Sequence, residues 1–330
     1  MDTAYVASRD ASTTIDIDRA DVVPAHRPRL MRRPPAPCAG ARVALVAPAG
    51  PLRGEADLER AQNNARAFGW VPVVGAHVLA RDGYLAGADA DRLADLNTAL
   101  TDDAIDAVWC VRGGYGAMRI LDHVDYAAMR RRPKPIVGYS DVTALHSAMS
   151  TRCEVVTFHG PTARASLTTF SRASLEQALS GNDSCGVATN ATTLHEGRTR
   201  GRLVGGNLAL LCALSGTSYA PDYRDAILVV EDVNEAVYRI DRMLTQLRLG
   251  GHLAGCRGLV FGQFTDIPTD SPEENLGART LDNVLGEIAT QLKVPCISGA
   301  PVGHVADQWT IPLGAEAELD ANERTLRILQ

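Results

Sequence analysis

A serine lies between a strand-like apolar run, Pro135-Ile136-Val137, and a helix-like run, Val142-Thr143-Ala144-Leu145-His146, in the motif Gly138-Tyr139-Ser140-Asp141. A sharp strand-to-helix turn of this kind lifts a hydroxyl above the end of a sheet. It also aims backbone N–H groups at whatever the hydroxyl attacks. The chemistry suggested is nucleophilic hydrolysis by Ser140. The motif departs from Gly-x-Ser-x-Gly, because Val142 stands where the second glycine would be. Such a serine needs a base to take its proton and a carboxylate to orient that base.

Eight histidines are available. His26 lies in an N-terminal extension, and His77, His123, His195 and His252 fall in polar loops or at helix ends. His146 is on the helix after Ser140. His159, in Phe158-His159-Gly160-Pro161, and His304, in Val302-Gly303-His304, each end an apolar run beside glycine. Strand ends of that type are where α/β proteins place reacting groups, so pattern alone leaves both open as the base. For the carboxylate, Ile227-Leu228-Val229-Val230 ends in Glu231-Asp232, and Glu235 follows at a helix start. Asp232 and Glu235 suit helix capping, which makes Glu231 the better orienting acid. Arg112-Gly113-Gly114-Tyr115-Gly116 follows a strand, and its glycines would let backbone N–H groups approach an oxyanion or a phosphate. It lacks Gly-Lys-Ser/Thr and falls on the third strand, which disfavours a nucleotide loop.

The elements that must position these groups alternate. Strands are expected at 43–47, 71–74, 107–111, 135–139 and 155–158, with helices at 56–68 and 89–100 and another after the glycine turn. Strands separated by helices imply a parallel sheet covered on both faces. Residues 1–38 are polar, then Arg- and Pro-rich, and read as a mobile extension. The nucleophile domain is expected at 39–166 and a polar linker at 167–200. A C-terminal domain at 201–330 would supply the acid and the base. Within it, helices are expected at 208–214, 235–249 and 280–292, strands at 226–230 and 258–264, and a closing hairpin at 315–329.

Composition is that of a globular protein: 330 residues, 45% hydrophobic and 22% charged. A net charge of −6 and the lack of a basic stripe argue against nucleic-acid binding. No run reaches the length of a membrane span, and no signal-type apolar segment follows the first residues. The cytoplasm is the expected place of action. Seven scattered cysteines, without any Cys-x-x-Cys pair, disfavour both a disulfide framework and a zinc site.

Six motifs occur together in order: Ala47-Pro48-Ala49-Gly50, Arg92-Leu93-Ala94-Asp95-Leu96-Asn97, Arg112-Gly113-Gly114-Tyr115-Gly116, Gly138-Tyr139-Ser140-Asp141, Gly205-Gly206-Asn207-Leu208, and Glu231-Asp232-Val233-Asn234-Glu235 with Arg239 and Arg242. Gly303-His304 follows them. Over about residues 40–328 the chain thereby resembles the LD-carboxypeptidases, serine peptidases related to microcin-immunity hydrolases. The resemblance implies an α/β protein with a flavodoxin-like N-terminal domain and a smaller α/β C-terminal domain, commonly a homodimer. It implies a triad of Ser140 as nucleophile, His304 as base and Glu231 as orienting acid, with His159 reduced to a wall residue. It also implies an oxyanion hole from the N–H groups of Gly114 and Asp141, with no metal and no cofactor. The implied substrate is a muramoyl tetrapeptide from cell-wall recycling, cleaved between an L-centre of diaminopimelate or lysine and terminal D-alanine. Arg112 and Tyr115, bordering the glycine turn, are candidates for substrate contact. Arg112 could equally brace the loop, and Arg239 and Arg242 suit a structural role. The alternative is hydrolysis of aminoacyl-nucleotide amides, as in the immunity branch. The Arg112–Gly116 motif favours the peptidoglycan branch.

Overall fold

The computed structural model describes residues 31–268 and 279–329. Most of the expected N-terminal extension therefore lies outside the described residues. The first half of the chain alternates as its apolar pattern predicts. It runs β1 (Arg42–Val46), α1 (Glu55–Ala67), β2 (Val71–Val74), α2 (Asp89–Thr101), β3 (Ala107–Cys110), α3 (Tyr126–Arg131), β4 (Ile136–Gly138), α4 (Thr143–Cys153) and β5 (Thr157–His159). The helix expected after the glycine turn is a 3-10 segment, Ala117–His123. These five strands are parallel, in the spatial order β2-β1-β3-β4-β5. That order is flavodoxin-like, with its topological switch between β1 and β3. At the switch the Gly50 N–H donates to Gly113 O at 2.9 Å. The sheet is buried on both faces. Val46, Leu96, Val108, Ile136 and Leu145 pack on one side, and Leu45, Trp109, Val137, Phe158 and Leu175 on the other.

The chain then forms α5 (Thr169–Ser180), β6 (Gly186–Val187), β7 (Thr192–His195), β8 (Arg198–Asn207), α6 (Leu208–Leu214), β9 (Ala226–Val233), α7 (Val237–Leu249), β10 (Gly258–Thr265), α8 (Leu281–Leu292), β11 (Cys296–Ser298), β12 (Ile311–Leu313), β13 (Glu316–Asp320) and β14 (Thr325–Ile328). A second sheet runs β6-β14-β13-β8-β9-β10-β11-β7, with β8 to β11 parallel. The expected hairpin is present, Leu319 facing Leu326. Strand β12 leaves this domain. It pairs antiparallel with β5, Ile311 opposite His159, and completes the first sheet.

Two expectations differ from the structure. The segment 167–200 is not a bare linker. It carries α5, β6 and β7. Thr168 caps α5 by accepting from the Ser171 N–H, Gly181 ends it in the left-handed region, and Leu175, Ala178 and Leu179 pack on the first sheet. The helix is inconspicuous in sequence because Ser171 and Ser174, which look solvent-facing, are buried. The described end of the extension is also docked. The Arg32 N–H donates to Glu154 O at 2.7 Å, and Arg32 O accepts from the Val156 N–H at 2.9 Å. The Arg33 guanidinium lies over the Phe158 ring and reaches Ala178 O.

The domains meet at Gly206, whose φ is +133°. A Cβ there would lie 2.5 Å from Thr143 Oγ1 on α4. Thr143 Oγ1 in turn accepts from the Asn207 N–H at 3.0 Å. Gly206→Ala is therefore expected to lower stability by about 3 kcal/mol, read from the urea-unfolding midpoint. An unchanged midpoint would contradict this account of the junction.

Candidate active site

Ser140 opens a 3-10 turn, Ser140–Val142, between β4 and α4. Its φ of +64° is a left-handed conformation that non-glycine residues seldom adopt. Such strain persists where the surroundings over-determine it. The surroundings here are glycines. A Cβ on Gly113 would lie 2.8 Å from Ser140 Cβ, and one on Gly138 would lie 3.0 Å from Val142 Cγ2. Val142, where the usual motif has its second glycine, buries its side chain in the core with Ala144 and Leu145.

His304 comes from the other domain, on the loop between β11 and β12. Its Nδ1 lies 2.8 Å from Glu231 Oε2. A carboxylate partner at Nδ1 keeps the proton there and leaves Nε2 as the acceptor. Glu231 stands near the end of β9 and is 0% exposed. Its space is created by glycines: a Cβ on Gly303 would lie 2.6 Å from Oε2, and one on Gly262 would lie 3.2 Å from Glu231 Cβ. The Tyr139 ring, adjacent in chain to Ser140, packs 4.7 Å from the His304 ring, centroid to centroid. Among the described residues, no hydrogen bond joins Ser140 Oγ to His304. Catalytic hydrogen bonds are often long in a free enzyme and tighten when substrate binds.

The glycine turn is held from beneath. Asp141 Oδ2 accepts from the Ala117 N–H at 2.7 Å, and the buried Arg92 guanidinium donates to Gly116 O at 2.9 Å and to Pro48 O. Burial pushes the Asp141 carboxyl up to about 6, partly offset by those turn N–H groups and by Arg92. Gly114, with φ +109°, is exposed. Its neighbour Tyr115 is half-exposed and packs edge-on against Tyr84, centroids 5.6 Å apart. Arg112 Nη1 donates to Pro51 O and so braces the adjacent loop. The structural part of Asp141 and Arg92 was not read from sequence; Arg92-x-x-Asp95 looks like an ordinary helix face.

Asp232 caps a helix, but not the following one. It accepts from Asn207 Nδ2 at 2.8 Å and from the Ala209 N–H of α6 at 2.9 Å. Burial pushes it up to about 6. Glu235 pairs with Arg239 at 3.6 Å, and both Arg239 and Arg242 lie over the Tyr238 ring. His159 is buried beside Tyr139 and His146. Neither of its ring nitrogens has a hydrogen-bond partner among the described residues. Among the described residues, no group of three His, Cys, Asp or Glu side chains is placed to hold a metal ion. No described helix is long and apolar enough to cross a membrane.

The fold is a two-domain α/β architecture that sets a buried Glu–His pair beside a strained serine turn. Two family models match, the LD-carboxypeptidase N-terminal domain over residues 43–160 and the LD-carboxypeptidase C-terminal domain over residues 200–319. The chain belongs to the LD-carboxypeptidase family. It is 43% identical to a Streptomyces coelicolor protein named only as a candidate carboxypeptidase, over 91% of this chain and 97% of that one. It is 35% identical to the murein tetrapeptide carboxypeptidase of Pseudomonas aeruginosa, over 85% of this chain and 94% of that one. The solved structure of the microcin C7 self-immunity protein MccF superposes with a TM-score of 0.81 at 21% identity, covering 91% of this chain and 98% of that one. That likeness shows the shared fold.

The loop bearing His304 is tied to α5. Ser171 Oγ donates to Ala306 O at 2.7 Å and accepts from the Gln308 N–H at 2.9 Å. Ser174 Oγ accepts from the Thr310 N–H at 2.8 Å. Ser171→Ala leaves the buried Gln308 N–H and the part-buried Ala306 carbonyl without this partner and is expected to cost about 2 kcal/mol. Equilibrium denaturation checks this, and a neutral result would count against the clamp.

Burial holds His146 down to about 4; His159 falls to about 3 through burial and the neighbouring His146 and His304. An unfolded histidine gains its proton near pH 6.5, so below that pH the unfolded chain holds more protons and stability falls with pH. At pH 5 the loss is about 2 kcal/mol per buried imidazole. Asp141 and Asp232 act oppositely, since their raised values let the folded chain keep protons between about pH 6 and pH 4. His159→Gln isolates one imidazole: its stability should fall less between pH 7 and pH 5 than that of the parent. Parallel pH profiles would rule out this assignment.

Proposed function

We propose that the protein is a serine LD-carboxypeptidase that releases terminal D-alanine from muramoyl tetrapeptides during peptidoglycan recycling in the cytoplasm. The observation that carries the reading is the His304–Glu231 bond, 2.8 Å long and set in a glycine-lined pocket beside the strained Ser140 turn. Family membership and the murein tetrapeptide carboxypeptidase relative support the substrate class. No cofactor is needed, and the working form is a homodimer.

Ser140 Oγ attacks the carbonyl of the L,D amide while His304 Nε2 takes its proton. The N–H groups of Gly114 and Asp141 receive the negative charge on the carbonyl oxygen. As the C–N bond breaks, His304 returns the proton to the amine of D-alanine, leaving an acyl-enzyme. Water, deprotonated by His304, then adds to the ester and frees Ser140. Glu231 stabilises the imidazolium formed in each half-reaction. Its burial strengthens that interaction, because little solvent screens it.

A second reading, hydrolysis of aminoacyl-nucleotide amides, draws on the fold shared with the immunity protein. The glycine-rich turn at Arg112–Gly116 favours the peptidoglycan substrate. Purified protein given anhydromuramoyl tetrapeptide should release D-alanine, with kcat reduced about 10⁴-fold or more in Ser140→Ala and His304→Ala. Undiminished turnover by Ser140→Ala would exclude this nucleophile, and turnover of an aminoacyl-nucleotide amide alone would favour the second reading.

A further inference from the structure

The second domain holds a cavity of about 530 Å³ at the carboxyl edge of its sheet. That volume falls among those of small-molecule sites, about 300–1,000 Å³. Gln263, towards the end of β10, faces it from the sheet. Val187, which ends β6, and Asn190, before β7, line a second side, and Phe170 of α5 lines a third. Val305 and Asp307 close it from the loop that carries His304. The cavity also adjoins the seat of Glu231. Gln263 follows Gly262, whose missing side chain makes room for Glu231, and the Gln263 N–H donates to Val302 O at 2.9 Å.

The lining carries hydrogen-bonding groups that the fold does not use. Asn190 and Asp307 are exposed, and neither side chain has a hydrogen-bond or ion-pair partner among the described residues. Gln263 Nε2 donates to Gly299 O at 2.8 Å and to Ala300 O at 3.3 Å, which leaves its Oε1 as an acceptor. Phe170, 43% exposed, and Val187, 58% exposed, add apolar surface. Among the described residues no lysine or arginine lines the cavity, and Asp307 repels anions, so a phosphate or a free carboxylate is a poor occupant. The lining suits a neutral ligand with several hydroxyl or amide groups and one apolar face. A pyranose has all of these. Its hydroxyls pair with side-chain amides and carboxylates, and its C–H face packs on an aromatic ring.

In a muramoyl tetrapeptide, three residues separate the sugar from the scissile bond, about 10 Å when extended. A site for the sugar therefore lies beyond His304, and Val305 and Asp307 lead along the loop from His304 to this cavity. We propose that Phe170, Asn190, Gln263 and Asp307 form a carbohydrate subsite that seats the muramoyl sugar of the substrate. The inference rests on the carboxypeptidase reading and extends that site from the peptide to the glycan.

The test compares D-alanine release from anhydromuramoyl tetrapeptide and from the same tetrapeptide without its sugar. The muramoyl peptide should show a KM about tenfold lower at similar kcat, the signature of binding energy that does not change in the transition state. Phe170→Ala, Asn190→Ala and Asp307→Ala, all at exposed positions, should each raise KM for the muramoyl peptide and bring the ratio of the two KM values towards one. Leu249→Ala, at an exposed position that ends α7, should leave the ratio unchanged. Equal KM values in the parent protein, or equal losses for both peptides in the variants, would overturn the subsite, while D-alanine release keeps the carboxypeptidase reading. Calorimetry on Ser140→Ala protein separates the reverse case. Tighter binding of the muramoyl peptide there, without D-alanine release by the parent, keeps the subsite and removes the carboxypeptidase reading. Neither binding nor release removes both.

Discussion

A carboxylate with no exposure to water is expensive to maintain, because burial removes hydration that a single hydrogen bond does not replace. Glu231 is such a group, with His304 on one oxygen and no partner for the other among the described residues. Much of the second domain is arranged around this cost. Glycines at 262 and 303 leave room for the side chain, β8 pairs with Glu231 at Asn207, and β10 shifts register opposite it. The loop bearing His304 is pinned by buried serines on α5. Removing either partner would strand the other, so the pair is held as a unit.

The first domain shows the complementary arrangement. Its candidate nucleophile depends on backbone shape rather than on a buried charge. Ser140 is forced into the left-handed region, and the turn at Arg112–Gly116 crosses close beneath it because Gly113 has no side chain. Asp141 and Arg92 hold the turn by side-chain bonds to its backbone. Each domain therefore contributes one pre-formed half of a site. Gly206 and Thr143 set how closely the halves approach.

Much of this was legible in the chain. The parallel sheet followed from apolar runs separated by helical spacing, and Ser140 was marked by its position between such runs. Glu231 stood out as an acid ending an apolar strand. Spacing alone did not separate His159 from His304, since both follow apolar runs beside glycine; the difference lies in three dimensions, where only His304 meets a carboxylate. Helix α5 was read as linker because two of its five buried residues are serines, used for hydrogen bonds rather than for apolar packing. The three-residue strands β11 and β12 carry too few residues to show a period.

Strand β12 joins the two halves more intimately than a chain of two successive domains suggests. It belongs in sequence to the second half, yet it covers the flank of β5 in the first sheet. Were the polypeptide divided between its halves, the first would present a bare row of N–H and C=O groups along β5. Unpaired edges of that kind recruit other strands and drive aggregation. Synthesis order adds to this: the nascent first half would wait for about 150 further residues before its sheet was closed. In that interval β5 is a second open edge of the sheet, in addition to that of β2.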